Sequence, residues 1–293
     1  MIMKSRTFLT TMLAAMVSAL FPVATTAKEP ERFTVSVTGQ GSDVILIPGL
    51  ASSGKVWDAT VKQLAATHRV HVIQIAGFAG SPPGANGEKG EMITPIVAEL
   101  SDYAAELKKP AVAGHSLGGL MALKLAADKP DLVGRVLVVD ALPFLSLMFD
   151  PAATAEGMKV EAAAMREYLL SQGDEFYVSS AYESAERMVK SKENQKVVGE
   201  WSATSDRKVV VKAMGEGMTT DLRPGLPKIQ VPVTVLYAWE EGMRIPAKAL
   251  DDLYATAYAK LAGVKLRRMN GGYHFLMLDQ PDEFAKAIEE FLK

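Results

Sequence analysis

The sequence has no cysteine, only four histidines and three tryptophans, and no excess of charge of either sign. Without cysteine there are no disulfides, thiolate zinc sites, iron–sulfur clusters or thiol nucleophile. Any nucleophile is therefore an oxygen or nitrogen group. The 32 basic and 34 acidic residues give a formal charge of −2, which argues against a broad nucleic-acid-binding face. There is also no G-K-[ST] phosphate loop and no convincing G-x-G-x-x-G after a strand. His68 and His71 are three apart but fall where a strand begins, not on one helix face. No cofactor and no metal are expected, and the expected partner is a small-molecule substrate rather than nucleic acid. What is present is 293 residues, 48% of them apolar, enough for a sizeable core.

The N-terminus has the layout of a secretory signal. Lys4 and Arg6 precede an apolar run over residues 8–21, and small residues stand at −3 and −1 of a cut after Ala27. The run is shorter than the ~20 residues a spanning helix needs. The expectation is a signal peptide over 1–27, no stable membrane span after cleavage, and a periplasmic or secreted mature protein.

Beyond it, short apolar runs alternate with helical patterns. Residues 32–38 alternate Phe33, Val35 and Val37 with polar neighbours, which predicts a strand with one exposed face. Val44-Ile45-Leu46-Ile47, Val136-Leu137-Val138-Val139 and the run over 233–239 are continuous, as in strands buried on both faces. Helices are predicted over 57–66, 92–107, 117–127 and 281–292. This alternation indicates an α/β protein with a mainly parallel sheet and helices on both faces. Residues 144–217 break the rhythm with helical stretches only, and are read as an inserted lid. The domain reading is a core over 28–143, the lid over 144–217 and the rest of the core over 218–293.

Gly114-His115-Ser116-Leu117-Gly118 fits G-x-S-x-G, with a buried strand before it and a helix after it. A strand–turn–helix of this kind lifts a serine hydroxyl to the strand's carboxyl end, above the positive end of the helix. Glycines beside the serine remove side chains that would clash in so tight a turn.

In this motif and along most of the chain, the sequence resembles the α/β-hydrolase superfamily. Ile45-Leu46-Ile47-Pro48-Gly49-Leu50 is similar to the family's oxyanion loop, with Pro48 where many members have histidine. The resemblance implies an oxyanion hole from the backbone N–H groups of Leu50 and Leu117. It implies Ser116 as nucleophile and a base on the loop after the last strand, where His274 stands. His68 and His71 sit near a strand's amino end, and the elbow is expected to point His115 away from the catalytic face. The acid has two candidate places. Glu240 and Glu241 follow the strand over 233–239, the usual position. Asp140 ends the preceding strand, a place used by haloalkane dehalogenases of the same superfamily. Asp140 is preferred, because an ordered strand end positions a short acid better than a Glu-Glu-Gly turn.

The resemblance implies an ester-cleaving serine hydrolase working through an acyl-enzyme, the class of EC 3.1.1. Leu142, Phe144 and Met148, just past a strand end, are the expected pocket lining, and Phe78 is placed near its entrance. Methionines in the lid suit an adaptable apolar pocket, hence a small or medium apolar substrate. Lactone, amide or C–C hydrolysis on the same residues remains open, as does a non-catalytic binding protein on the same fold.

Overall fold

A computed structural model describes residues 29–243 and 245–293. The signal-peptide reading of 1–27 lies outside the described residues.

Among the described residues seven strands form one sheet: β1 (Phe33–Thr38), β2 (Ser42–Ile47), β3 (His68–Ile75), β4 (Ala111–His115), β5 (Arg135–Val139), β6 (Val233–Trp239) and β7 (Lys265–Asn270). Their spatial order is β1-β3-β2-β4-β5-β6-β7. β1 pairs antiparallel with β3, and every other pairing is parallel. The helices are α1 (Asp58–Leu64), α2 (Ile93–Ala105), α3 (Leu117–Asp128), α4 (Met158–Ser171), α5 (Asp174–Met188), α6 (Lys192–Ala203), α7 (Arg207–Thr219), α8 (Ala247–Ala257), α9 (Leu276–Asp279) and α10 (Pro281–Leu292).

Alternate side chains of a strand point to opposite faces, and the core divides accordingly. On β2, Ile45 and Ile47 join the layer that holds α2 and α3, whereas Val44 and Leu46 join the layer of α1 and α10. Lys124 and Asp128 alone on α3 escape burial, so this helix is apolar nearly all round, as befits one wedged into a core. α10 instead has a single buried stripe of Phe284, Ala287, Ile288 and Phe291. Each large side chain of that stripe contributes about 2 kcal/mol by leaving water.

Strand order reverses between β2 and β4, a switch point whose carboxyl side opens a natural crevice. The loop after β2 and the elbow after β4 both leave the sheet there. The segment between β5 and β6 carries α4 to α7. α7 is rooted in the core through Val209, Val210, Ala213 and Met218, whereas α4 buries only Ala162 and α5 only Ala181 and Ala185. Glu216 of α7 accepts the N–H groups of Met92 and Ile93, which closes the N-terminus of α2. α8, between β6 and β7, was not foreseen, although Leu250, Tyr254 and Ala257 carry a helical spacing. Among the described residues no helix is long and apolar enough to cross a membrane.

Candidate active site

The elbow is built by close backbone approach. A Cβ at Gly114 would lie 2.1 Å from the Gly118 carbonyl oxygen, and one at Gly118 would lie 2.4 Å from that of Ile47. Neither space admits a side chain. Between them Ser116 takes φ +52° and ψ −119°, a conformation costing about 1–3 kcal/mol in a non-glycine residue. The Ser116 N–H still donates to the Val139 carbonyl at 2.8 Å, and the chain then turns into α3. Asp140 repeats the pattern one strand over. Its N–H donates to the Leu236 carbonyl at 2.7 Å and its φ is +51°. Both residues extend their strand by one ladder bond before the backbone turns away.

The structure brings Asp140 to His274, with Nδ1 2.6 Å from Oδ2. The other carboxylate oxygen, Oδ1, accepts the Ala238 N–H at 2.9 Å and the Tyr254 hydroxyl at 3.3 Å. Tyr258 donates to the Ala141 carbonyl at 2.7 Å. Burial first, and the Asp140 charge second, push the phenols of Tyr254 and Tyr258 well above the ordinary tyrosine range. Both therefore remain hydrogen-bond donors at any physiological pH. Glu240 is not brought to His274. Its Oε2 takes Lys190 Nζ at 2.7 Å, and that bond holds its carboxyl below the usual range. Glu241 is exposed and offers only its N–H to Glu240.

His274 stands on the loop between β7 and α9. Gly271 begins that loop at φ +89° and donates its N–H to the Trp239 carbonyl. Asp279 accepts the Tyr273 N–H and Gln280 donates to the Gly271 carbonyl, which ties the loop from its far side. The Phe275 N–H donates to the Met188 carbonyl at the end of α5. His115 departs from its expected direction. Instead of pointing away, it lies under His274 with ring centroids 4.6 Å apart, and its Nε2 is 3.0 Å from the His274 carbonyl oxygen.

Leu117 is the first residue of α3, so its N–H has no intrahelical carbonyl to bond. The Leu50 N–H likewise donates to no acceptor among the described residues. Both border a cavity of about 470 Å³, as do Ser116, Asp140 and His274. Its walls are otherwise mostly apolar, with Leu142, Met148, Met165, Met188, Met214 and Met218 among them. Phe144 is not on the cavity. Its side chain is turned into the core, fully buried, with the Arg223 guanidinium 4.9 Å over its ring. Phe78 is fully buried in the core as well. No group of three or more His, Asp or Glu able to hold a metal occurs among the described residues.

A mainly parallel sheet with a strained serine elbow at its switch point and an apolar cavity above the strand ends defines a hydrolase of the doubly wound class. Residues 44–287 match the model of the alpha/beta hydrolase family, and the chain belongs to that family. It is similar to a pimeloyl-[acyl-carrier protein] methyl ester esterase of Aliivibrio salmonicida, 25% identical over 87% of this chain and 94% of that relative. Among solved structures it is similar to a thermophilic esterase from Thermogutta terrifontis (TM-score 0.70, 20% identity, covering 89% of this chain and 92% of that one). It is also similar to an enol-lactonase from Burkholderia xenovorans LB400 (TM-score 0.70, 18% identity, 89% and 96% covered). The chain is thus an enzyme, a carboxylesterase-like α/β hydrolase. The relatives also correct one expectation. Proteins named for an ester of acyl-carrier protein overturn the periplasmic or secreted placement, whose support lay in residues 1–27.

Sequence reasoning passed over Tyr254 and Tyr258. Their signal was available in the spacing of Leu250, Tyr254 and Ala257, which marks a helix with one buried face.

Proposed function

We propose that this chain hydrolyses carboxylic esters of small or medium, largely apolar acyl groups, with Ser116 as nucleophile, His274 as base and Asp140 as acid. The observation that carries this reading is the 2.6 Å contact of His274 Nδ1 with Asp140 Oδ2, on the cavity that Ser116 also borders. With Nδ1–H donated to the carboxylate, Nε2 is the basic nitrogen. It takes the Ser116 proton as Oγ attacks the ester carbonyl. The Leu50 and Leu117 N–H groups receive the developing oxyanion, and losing one such donor typically costs about 3 kcal/mol of transition-state stabilisation. His274 then passes the proton to the leaving alcohol. A water activated by the same nitrogen releases the acid from the acyl-enzyme. Asp140 holds the imidazole tautomer and offsets the charge of the imidazolium.

In this reading the segment over 144–217 is a cap, and its methionines shape the acyl pocket. Their flexible thioethers fit more than one chain shape. Among the described residues the ionisable side chains on the cavity are His115, Asp140, Tyr254 and His274, with no Lys or Arg among them to meet a charged acyl terminus. The esterase relatives support a methyl or similarly small alcohol as leaving group. A panel of p-nitrophenyl and methyl esters of rising acyl length tests the reading. Turnover that peaks at a short or medium neutral chain is expected, and no turnover of any ester contradicts it.

A further inference from the structure

The mechanism above leaves His115 without a task, yet this side chain is only 1% exposed and adjoins the nucleophile in sequence. Its Nε2 faces the His274 carbonyl oxygen at 3.0 Å. A carbonyl only accepts, so Nε2 carries the proton and Nδ1 holds a bare lone pair. Nδ1 has no partner. It faces Gly49, where a Cβ would stand 2.9 Å away. Burial first, then the nearby His274, hold the His115 imidazole well below the ordinary histidine range. The ring is therefore neutral, with one donor in use. It also packs on both the His274 ring and the Phe275 ring, at 4.6 and 4.7 Å. Three separate loops meet at this one side chain: the elbow that carries it, the loop of Gly49 and Leu50, and the loop of His274.

We propose that His115 is a positioning residue for His274: its Nε2–H fixes the His274 carbonyl and its ring supports the imidazole above Asp140. The inference rests on the assignment of His274 as base. Its logic is covalent. His115 and Ser116 are consecutive, so a bond from His115 to the main chain of His274 ties the base's backbone directly to the nucleophile's. The Gly271-Gly272 start of the base loop has little stiffness of its own, and this tie supplies it from the elbow side. Nδ1 has no part in the device.

Three variants of the full chain test it, with Ser116→Ala as control. The amide nitrogen of glutamine reaches where Nε2 stands, and that of asparagine reaches only where Nδ1 stands. His115→Gln is expected to keep kcat within about fivefold, whereas His115→Asn and His115→Leu lose about 100-fold, the scale of a misplaced catalytic group. KM is expected to move less than about twofold in all three, because His115 borders the cavity but is only 1% exposed and so offers substrate almost no surface. A glutamine variant no better than asparagine, through lost kcat or lost folding, overturns the proposal. So does a leucine variant that keeps full kcat, or a loss that falls on KM. The control separates the two claims. If Ser116→Ala retains activity, the site assignment itself fails. If it is inactive while glutamine and asparagine behave alike, only the positioning role fails.

Discussion

Two Asp–His pairs lie at opposite ends of the same sheet. At the carboxyl end, Asp140 holds His274 at 2.6 Å. At the amino end, Asp43 holds His71 at 2.9 Å. The second pair is the more enclosed, with side chains 6% and 3% exposed against 15% and 28% for the first. The difference lies in what remains free. His71 uses both ring nitrogens, Nε2 on Asp43 and Nδ1 on the Tyr103 hydroxyl at 2.6 Å. Arg69 adds its guanidinium to Asp43. His274 uses Nδ1 alone, keeps Nε2 without a partner among the described residues, and borders the cavity with Ser116. A carboxylate–imidazole pair is thus not a site by itself. A saturated pair contributes stability, whereas an unsaturated one, on a cavity that a strained serine also borders, keeps a nitrogen free for a proton.

This contrast can be broken by experiment. The largest effect is expected from Ser116→Ala, which lowers kcat on the best ester by about 10⁶ while far-UV circular dichroism stays native. Near-normal turnover would remove the chemical role from the carboxyl end. Asp140→Asn is expected to lower kcat by about 10⁴ with little change in KM, because the imidazole loses its orienting anion. The matching change at the other end, Asp43→Asn, is expected to leave kcat within twofold. It instead lowers stability by about 2 kcal/mol, or Tm by roughly 4 °C, since His71 loses a buried charged partner.

That stability loss also carries a pH signature. The Arg69 hydrogen bond, helped by His71 and opposed by burial, holds the Asp43 carboxyl below the ordinary aspartate range. A carboxyl lowered in the folded state contributes stability above its unfolded value, and the contribution is lost as pH falls through the folded value. The Tm gap between wild type and Asp43→Asn is therefore expected to be full at neutral pH and to close in acid. A gap that is constant from pH 7 to pH 3 would contradict this account of Asp43. The smallest effect is expected from Glu240→Gln, with kcat unchanged within about twofold, because Glu240, 23% exposed and paired with Lys190, does not touch the imidazole. A large loss there, with Asp140→Asn active, would transfer the acid role to Glu240.

The fold was legible because its signals are local. Continuous apolar runs such as Val136-Leu137-Val138-Val139 mark strands buried on both faces, and glycines around Ser116 mark a turn that no larger residue enters. The partner of His274 was not legible to the same degree. Asp140 is 134 positions away in sequence, and choosing it over Glu240 depends on where β5 and β6 end relative to one loop. The direction of a side chain after a strand is equally non-local. Phe144 and Met148 look alike in sequence, yet one turns under Arg223 into the core and the other onto the cavity. His115 was misread for the same reason. The turn at Ser116 decides which way its neighbour points, and only the packed loop of His274 reveals what it meets.

The most direct test of the account is covalent labelling with a fluorophosphonate, followed by mass spectrometry of the tryptic digest. The account predicts one phosphonyl adduct per chain, on Ser116, absent from Ser116→Ala and strongly slowed in Asp140→Asn. A folded, native chain that takes no label, or that is labelled equally without Ser116, would contradict it.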